Sequence, residues 1–257
     1  ILRHTHSYRD YVHLKLLPGS SEAVVSTAAG LADRLSVNLE APTARRLSAI
    51  CPEKSFERDL MRPLRWAAER VQPGQVRSGL TTQFVVGASD ETDRELLETT
   101  WRLTAEIGLA RTYFSGFCPV PDTPLEGREP VAAGREARLY QAEFLMRSYG
   151  FSFNELVFGE DGMMPLERDP KMISALARRD EFPIEVNAAD HWELLRVPGI
   201  GPTAAERIMA LRGKHKLTSL RHLDVLGARS ERARNFVTLN GHYYPREEPA
   251  MQLSMGL

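Results

Sequence analysis

The chain has 257 residues, 42% hydrophobic and 26% charged, with a formal net charge of −1, which is the composition of a globular protein of one large or two small domains. No apolar run is long enough to span a bilayer and no signal peptide is visible, so the expectation is a cytoplasmic protein with no membrane partner. Cys51 and Cys118 stand far apart in a chain without export signals. They are expected as free thiols, and two cysteines cannot by themselves hold a four-cysteine zinc site or an iron–sulfur cluster.

In chain order, Tyr11–Leu17 (YVHLKLL) is β-like, and Ser20 or Ser21 caps a helix running to about Arg34. Leu35–Leu39 (LSVNL) predicts a short strand. Pro42–Ile50 and Phe56–Val71 predict helices. Leu80–Val86 (LTTQFVV) predicts a strand followed by the turn Gly87-Ala88-Ser89. Asp90 or Thr92 then caps a long amphipathic helix to about Ile107. Arg111–Phe117 (RTYFSGF) predicts a fourth strand. A proline-rich loop, 119–130, leads to a helix over about Arg135–Tyr149. Repeated β-α units without tight hairpins argue for a parallel sheet.

Polar residues fall at the ends of these strands: Lys15, Asn38, Glu40, Gln83, Ser89 and Ser115. In parallel α/β folds ligands bind beyond the carboxyl ends of strands. Asn38 and Glu40 alternate with Val37 and Leu39, which predicts one shared face for the pair, able to meet a ribose, an amino group or a substrate. The competing reading is a buried polar layer that satisfies itself. Four parallel strands cannot close a barrel and leave long edges, and the chain starts at Ile1 rather than Met, so further strands are expected before Ile1.

The next segment, 151–165, contains FSFNELVFGEDGMMP with a turn at Gly159–Gly162. DPKMISALA, starting at Asp169, reads as a capped helix, and FPIEVN follows. Phe151, Phe153, Phe158 and Trp192 are expected to pack between domains rather than to stack bases. His4, His6 and His13 have a spacing that suits a metal but lack accompanying carboxylates or cysteines, so no metal site is expected there.

Leu194–Leu211 (LLRVPGIGPTAAERIMAL) reads as a helix, a hairpin closed by Gly199-Ile200-Gly201, and a second helix from about Pro202. Free N–H groups at that helix start, beside the positive end of its dipole, form a place for a phosphate oxygen. The pattern is similar to the helix-hairpin-helix motif, which grips the sugar-phosphate backbone of DNA. A shift of 28 residues lays HLDVLGARSERARNFVTL under the motif: Leu195 meets Leu223, Val197 meets Val225, Gly199 meets Gly227, Ala205 meets Ala233, Ile208 meets Phe236 and Leu211 meets Leu239. Arg229 replaces Gly201 in the second copy, so that hairpin is expected to pack or to offer a side-chain cation.

Residues 188–246 hold ten Arg and Lys against five Asp and Glu, a net of +5, which leaves −6 on the rest of the chain. A basic module on a mildly acidic body is the footprint of a backbone binder, with Arg207, Arg212, Lys214, Lys216, Arg229 and Arg232 as contributors. Arg196 and Arg221 read as solvated face residues. The competing reading is a small helical bundle that packs or joins proteins.

HLKLLPGS, DRLSVNLE, TTQFVVGAS, RLYQAEFLMRSYGF, DPKMISAL, FPIEVN and LLRVPGIG occur in one order from about Arg9 to Tyr244. Together they resemble the radical S-adenosylmethionine (radical SAM) proteins with a C-terminal helix-hairpin-helix, described as DNA modification or repair proteins and often gene-linked to a uracil-DNA-glycosylase-like partner. The resemblance implies a partial parallel (β/α) barrel of six strands lacking its first strands here, followed by a small all-helical tandem helix-hairpin-helix domain. It implies a [4Fe–4S] cluster on a CxxxCxxC loop, which this chain does not contain, so the chain alone is expected to be inactive while the full-length protein is expected to be a radical SAM enzyme. It further implies S-adenosylmethionine beside Asn38, Glu40, Gly87, Ala88 and Ser89, with adenine near Phe117 to Val120, substrate facing Lys15 and Gln83, and DNA on Gly199, Ile200, Gly201, Thr203, Arg207, Lys214, Lys216 and Arg229.

The expected domains are 1–150 for the barrel portion, 151–187 for a linker and packing segment, 188–246 for the tandem hairpins and 247–257 for a tail. The alternatives are a non-catalytic DNA-binding protein and a helix-hairpin-helix DNA glycosylase using Asp224 as its catalytic acid.

Overall fold

The computed structural model describes residues 2–71 and 75–246; the tail at 247–257 and Ile1 lie outside the described residues. The fold is mixed α/β. Two compact units divide it: one takes the chain through Arg147 together with Phe151–Glu167, and the other takes Ser148–Gly150 and the chain from Arg168 onward. Residues 151–187, expected as one connecting segment, are thus shared out, 151–167 to the first unit and 168–187 to the second.

The first unit opens with a short helix α1 (Leu2–Thr5) and alternates strands and helices: β1 (His13–Lys15), α2 (Glu22–Ala29), β2 (Arg34–Ser36), α3 (Ala44–Ile50), α4 (Arg62–Glu69), β3 (Leu80–Val86), α5 (Asp93–Ile107), β4 (Arg111–Gly116) and α6 (Arg135–Tyr149). All three strand pairings are parallel and the order is β1-β2-β3-β4, the chain order. Side chains alternate between faces along a strand. Leu16, Leu35, Val37, Leu39, Leu80, Phe84, Val86 and Phe114 form one face and join Leu64, Ala67, Leu96, Leu97, Leu139 and Ala142 of the helices in a single core. The opposite face is polar.

Several helix boundaries follow from local chemistry. Ser21 caps α2, whose last residue is Ala29; Gly30 ends it four residues before the expected end at Arg34. The intervening turn carries buried Asp33, which accepts from the Val12 amide and from Arg3 and Arg77. Those partners, Arg77 foremost, hold the Asp33 carboxyl down to about 2. Thr92 forms a reciprocal capping box with Glu95 at the start of α5.

The continuous helix expected over Phe56–Val71 is instead a π-helical turn, Phe56–Met61, followed by α4. Pro63 explains the break. It has no N–H to give the Asp59 carbonyl, and that carbonyl accepts the Gly19 amide at 2.8 Å. The Arg62 amide reaches back to Glu57 instead.

The second unit contains α7 (Pro170–Ala177), β5 (Ile184–Glu185), α8 (His191–Arg196), α9 (Pro202–Arg212), α10 (Leu220–Val225), α11 (Ser230–Ala233), β6 (Val237–Leu239) and β7 (His242–Tyr243). It is not all-helical as expected, because β5, β6 and β7 form a three-stranded sheet. In the second copy α11 ends at Ala233, a 3-10 turn follows over Arg234–Phe236, and β-branched Val237 and Thr238 pair with Ile184 and Glu185. Asn240-Gly241 then turns the chain, with φ of 53° and 79°, the two positive values that a type I′ hairpin requires. Glu185 fastens the turn, accepting from the amides of Asn187, Asn240 and Gly241. Although burial opposes it, these donors hold the carboxyl down to about 2.

Candidate nucleic-acid interface and the polar face of the sheet

The glycine hairpin joins α8 to α9. Gly199 has φ 91°, and a β-carbon built on it stands 2.5 Å from the Arg229 carbonyl oxygen. The Arg229 amide donates to the Gly199 carbonyl at 2.8 Å. The hairpin therefore closes directly on the segment that starts α11, and only glycine permits that approach. Gly227, its counterpart in the second copy, has φ 92°. Leu195 and Leu223, Ala205 and Ala233, and Ile208 and Phe236 are buried as matched pairs. Val197 and Val225 break the correspondence: Val197 is buried and Val225 is 74% exposed.

Gly201 is the N-cap of α9 and carries no side chain, so this helix start lacks a side-chain cap, with Pro202 in its first turn. The Ile200 side chain is buried, which leaves only its backbone for a ligand, whereas Thr203 is exposed. Lys214, Lys216 and Arg229 are exposed cations. Arg207 is exposed and leans on the second hairpin, donating to the Leu226 carbonyl at 3.4 Å.

Three arginines have structural partners that sequence did not reveal. Arg212 donates to the Val186 and Ala189 carbonyls, and Arg232 pairs with Asp169, so neither is a free cation as expected. Arg196 is not merely a solvated face residue: it donates to the carbonyls of Tyr149 and Gly150. Asp224 accepts from the amide and hydroxyl of Ser230 at 3.0 and 2.8 Å, which gives it the work of capping α11.

Behind the hairpin lies Lys171, 8% exposed, whose ammonium donates to the Ile200 carbonyl and stands 4.7 Å from the centre of the Tyr149 ring. Burial lowers its pKa to about 7 even though the Asp169 charge opposes that shift. The unfolded chain keeps an ordinary lysine, so from pH 7 to about 10 it holds a proton that the folded protein does not. The stability of the second unit is expected to rise with pH across that window, by up to about 1.4 kcal/mol per pH unit. Urea midpoints at pH 7 and pH 9 measure it, and Lys171→Met should flatten the difference.

On the first unit, the polar face of the sheet holds a pocket of about 150 Å³ lined by His13, Lys15, Ser36, Asn38, Thr81 and Gln83, with Tyr113 beside them. The Asn38 amide donates to the Gln83 side chain at 3.4 Å, and the His13 ring lies 2.9 Å from the Ser36 hydroxyl. Partial burial, with help from the Arg34 charge, lowers the pKa of His13. The Thr81 hydroxyl is buried without a hydrogen-bond partner. Lys15, Asn38 and Gln83 thus come together.

Glu40 does not join them. Its φ is 63°, and this left-handed residue interrupts the alternation that would have placed it with Asn38. Its backbone stitches β2 to β3, donating to the Gln83 carbonyl and accepting from the Val85 amide.

The turn Gly87-Ala88-Ser89 is where it was expected, but the donors of Gly87 and Ser89 are occupied. The Gly87 amide, the Ser89 amide and the Ser89 hydroxyl all donate to the carboxylate of Glu91. Arg135 reaches the same carboxylate and also Asp93, and all three side chains are buried. Sequence reading missed this cluster. Its only signal is the spacing of Glu91 and Asp93 around the helix start, and their arginine comes from 42 residues away.

Cys51 is half-buried beside Glu53 and burial raises its pKa; Cys118 is exposed. Among the described residues no group of three metal-ligating side chains occurs, and the two cysteines do not fit a three-cysteine cluster loop. Nor does the Gly87–Ser89 turn fit as a backbone cradle for S-adenosylmethionine, since Glu91 already fills it. Phe153 and Phe158 pack on the core of the first unit, and Trp192 covers Gly150 within the second. No helix among the described residues is long and apolar enough to cross a membrane.

No protein-family model matches the chain, and no solved structure matches it.

Proposed function

We propose that the second unit holds DNA by its backbone, through a tandem helix-hairpin-helix, and that the chain is part of a radical SAM-type DNA modification or repair protein. The observation that carries the DNA reading is the helix start at Gly201. It has no side-chain cap, and a hairpin that Gly199 locks against the second repeat presents it. Thr203, Lys214, Lys216 and Arg229 supply a polar, cationic surround, and phosphate contacts of this kind carry little sequence information.

The family reading rests on the ordered sequence blocks and on a parallel sheet whose helices cover one face, an arrangement compatible with a partial barrel. Lys15, Asn38 and Gln83 face the substrate in this reading. The [4Fe–4S] cluster and the Gly87–Ser89 contacts to S-adenosylmethionine find no matching residues here, so no step is assigned to either group. What this chain does is bind and orient DNA. A uracil-DNA-glycosylase-like partner and a cytoplasmic location belong to the same proposal.

A non-catalytic DNA-binding protein is the second reading, since the uncapped start of α9 supports DNA contact without requiring a reaction. The glycosylase reading is weakened by Asp224, whose two oxygens are taken up in capping α11.

Gly201→Val tests the interface. Gly201 has φ −99°, and an added β-carbon meets only the Tyr149 hydroxyl, at 3.4 Å, so the fold should survive. Duplex affinity, measured by fluorescence anisotropy at fixed salt, is expected to fall about tenfold, as for a loss of about 1.4 kcal/mol. Wild-type affinity should drop steeply with salt and vary little with sequence. Unchanged affinity in the variant would remove the hairpin from the interface.

A further inference from the structure

The residue behind the hairpin has no role in the reading above. Lys171 sits on the first turn of α7, and its ammonium donates to the carbonyl of Ile200, the peptide that leads into Gly201. A trans peptide is planar, with its C=O and N–H on opposite sides. A donor that holds the Ile200 carbonyl inward therefore turns the Gly201 amide to the other side, the side of the uncapped start of α9.

We propose that Lys171 is a positioning residue for phosphate binding: its charged form fixes the Ile200–Gly201 peptide and adds a cation behind the hairpin, so that DNA affinity follows its protonation. This rests on the reading of the hairpin as the DNA-binding element.

The surroundings support a charge whose state can change. The Tyr149 ring, at the end of α6, covers the ammonium. Asp169, the N-cap of α7, favours the charge but is itself paired with Arg232 of α11. Arg232 and Arg196 of α8 oppose it. Burial leaves the ammonium dependent on these few neighbours, and it titrates at about 7 in the free protein. An arriving phosphate brings negative charge to the far side of the same peptide. Binding that favours the protonated lysine must, by linkage, be favoured by protonation in return. The sign is therefore fixed: affinity rises as pH falls through 7.

Two measurements test the proposal. The first is duplex affinity by anisotropy at fixed salt between pH 6 and pH 8.5, for wild type, Lys171→Met and Lys171→Arg. The wild type is expected to bind about tenfold more tightly at pH 6 than at pH 8.5, beyond any dependence that both variants share with it. Lys171→Met should lose about tenfold at pH 6, and Lys171→Arg should keep the affinity and lose the pH dependence. The second is the amide resonance of Gly201 without DNA, which should shift with pH around 7 in the wild type and stay still in Lys171→Arg, a readout that packing alone would not move.

If wild type and Lys171→Met bind with the same pH profile, the coupling is overturned while the hairpin assignment stands. If no duplex binds the wild type at all, the DNA reading falls and the coupling with it. A Gly201 resonance that ignores pH in the wild type overturns the positioning role by itself.

Discussion

Arg135→Met is expected to destabilise the first unit by about 3–5 kcal/mol, the cost of leaving buried charges without their partner. The guanidinium donates to Asp93 Oδ1 at 2.7 Å, to Glu91 Oε1 at 3.1 Å and to the Glu91 carbonyl at 2.7 Å. The side chains of Arg135, Glu91 and Asp93 are 8%, 0% and 1% exposed, so water cannot take over for the missing cation. The damage would spread beyond one pair. Glu91 orders the Gly87–Ser89 turn, and Asp93 Oδ2 accepts the Met164 amide at 2.9 Å. One arginine thus ties the end of β3, the starts of α5 and α6, and the segment around Met164. A urea melt of the variant measures the loss. A midpoint within about 1 kcal/mol of wild type would show the two carboxylates to be reachable by solvent.

Gly199→Ala is expected to cost the second unit about 2–5 kcal/mol, in contrast to the mild effect of Gly201→Val. The first part is conformational, because φ at Gly199 is 91°, a region that side chains avoid. The second is steric: the new methyl would stand 2.5 Å from the Arg229 carbonyl oxygen and 3.0 Å from the Arg232 β-carbon. Backbone cannot step aside as a flexible side chain would, so the two hairpins must separate. Thermal melts of the two variants, set beside their duplex affinities, divide the roles. Gly199 holds the hairpin together and Gly201 presents it. Equal stability of Gly199→Ala and wild type would mean that the hairpins are not packed through this glycine.

Local patterns were legible where the chemistry is local. β3 occupies Leu80–Val86 and α6 occupies Arg135–Tyr149, the spans their residue patterns predict. Thr92 and Asp169 cap the helices they precede, since a hydroxyl or carboxylate three residues before an amide needs no distant partner. The hairpin glycines were legible because positive φ and close approach leave few other choices.

The small sheet of the second unit was written in the Asn240-Gly241 turn, but the hairpin repeat masked it. Six matched positions suggest an all-helical pair of hairpins, and that pattern hides the short β-branched run of Val237 and Thr238. On the polar face of the sheet, Lys15, Asn38 and Gln83 follow from two-residue alternation, while Glu40 escaped it by adopting a left-handed backbone that no side-chain pattern announces.

By itself the sequence determined the order of strands and helices in the first unit, the parallel character of its sheet, the Asp169 cap and the place of the glycine hairpin. Each depends on residues within a few positions of one another or on a simple period. Only the tertiary structure decided which charges are free. Arg212, Arg232, Lys171 and Arg135 look alike in a sequence, yet each is bound to a partner at least 20 residues away, while Lys214, Lys216 and Arg229 remain exposed. The energy of a charge is set by its burial and by the groups that face it, and both are properties of the packed chain.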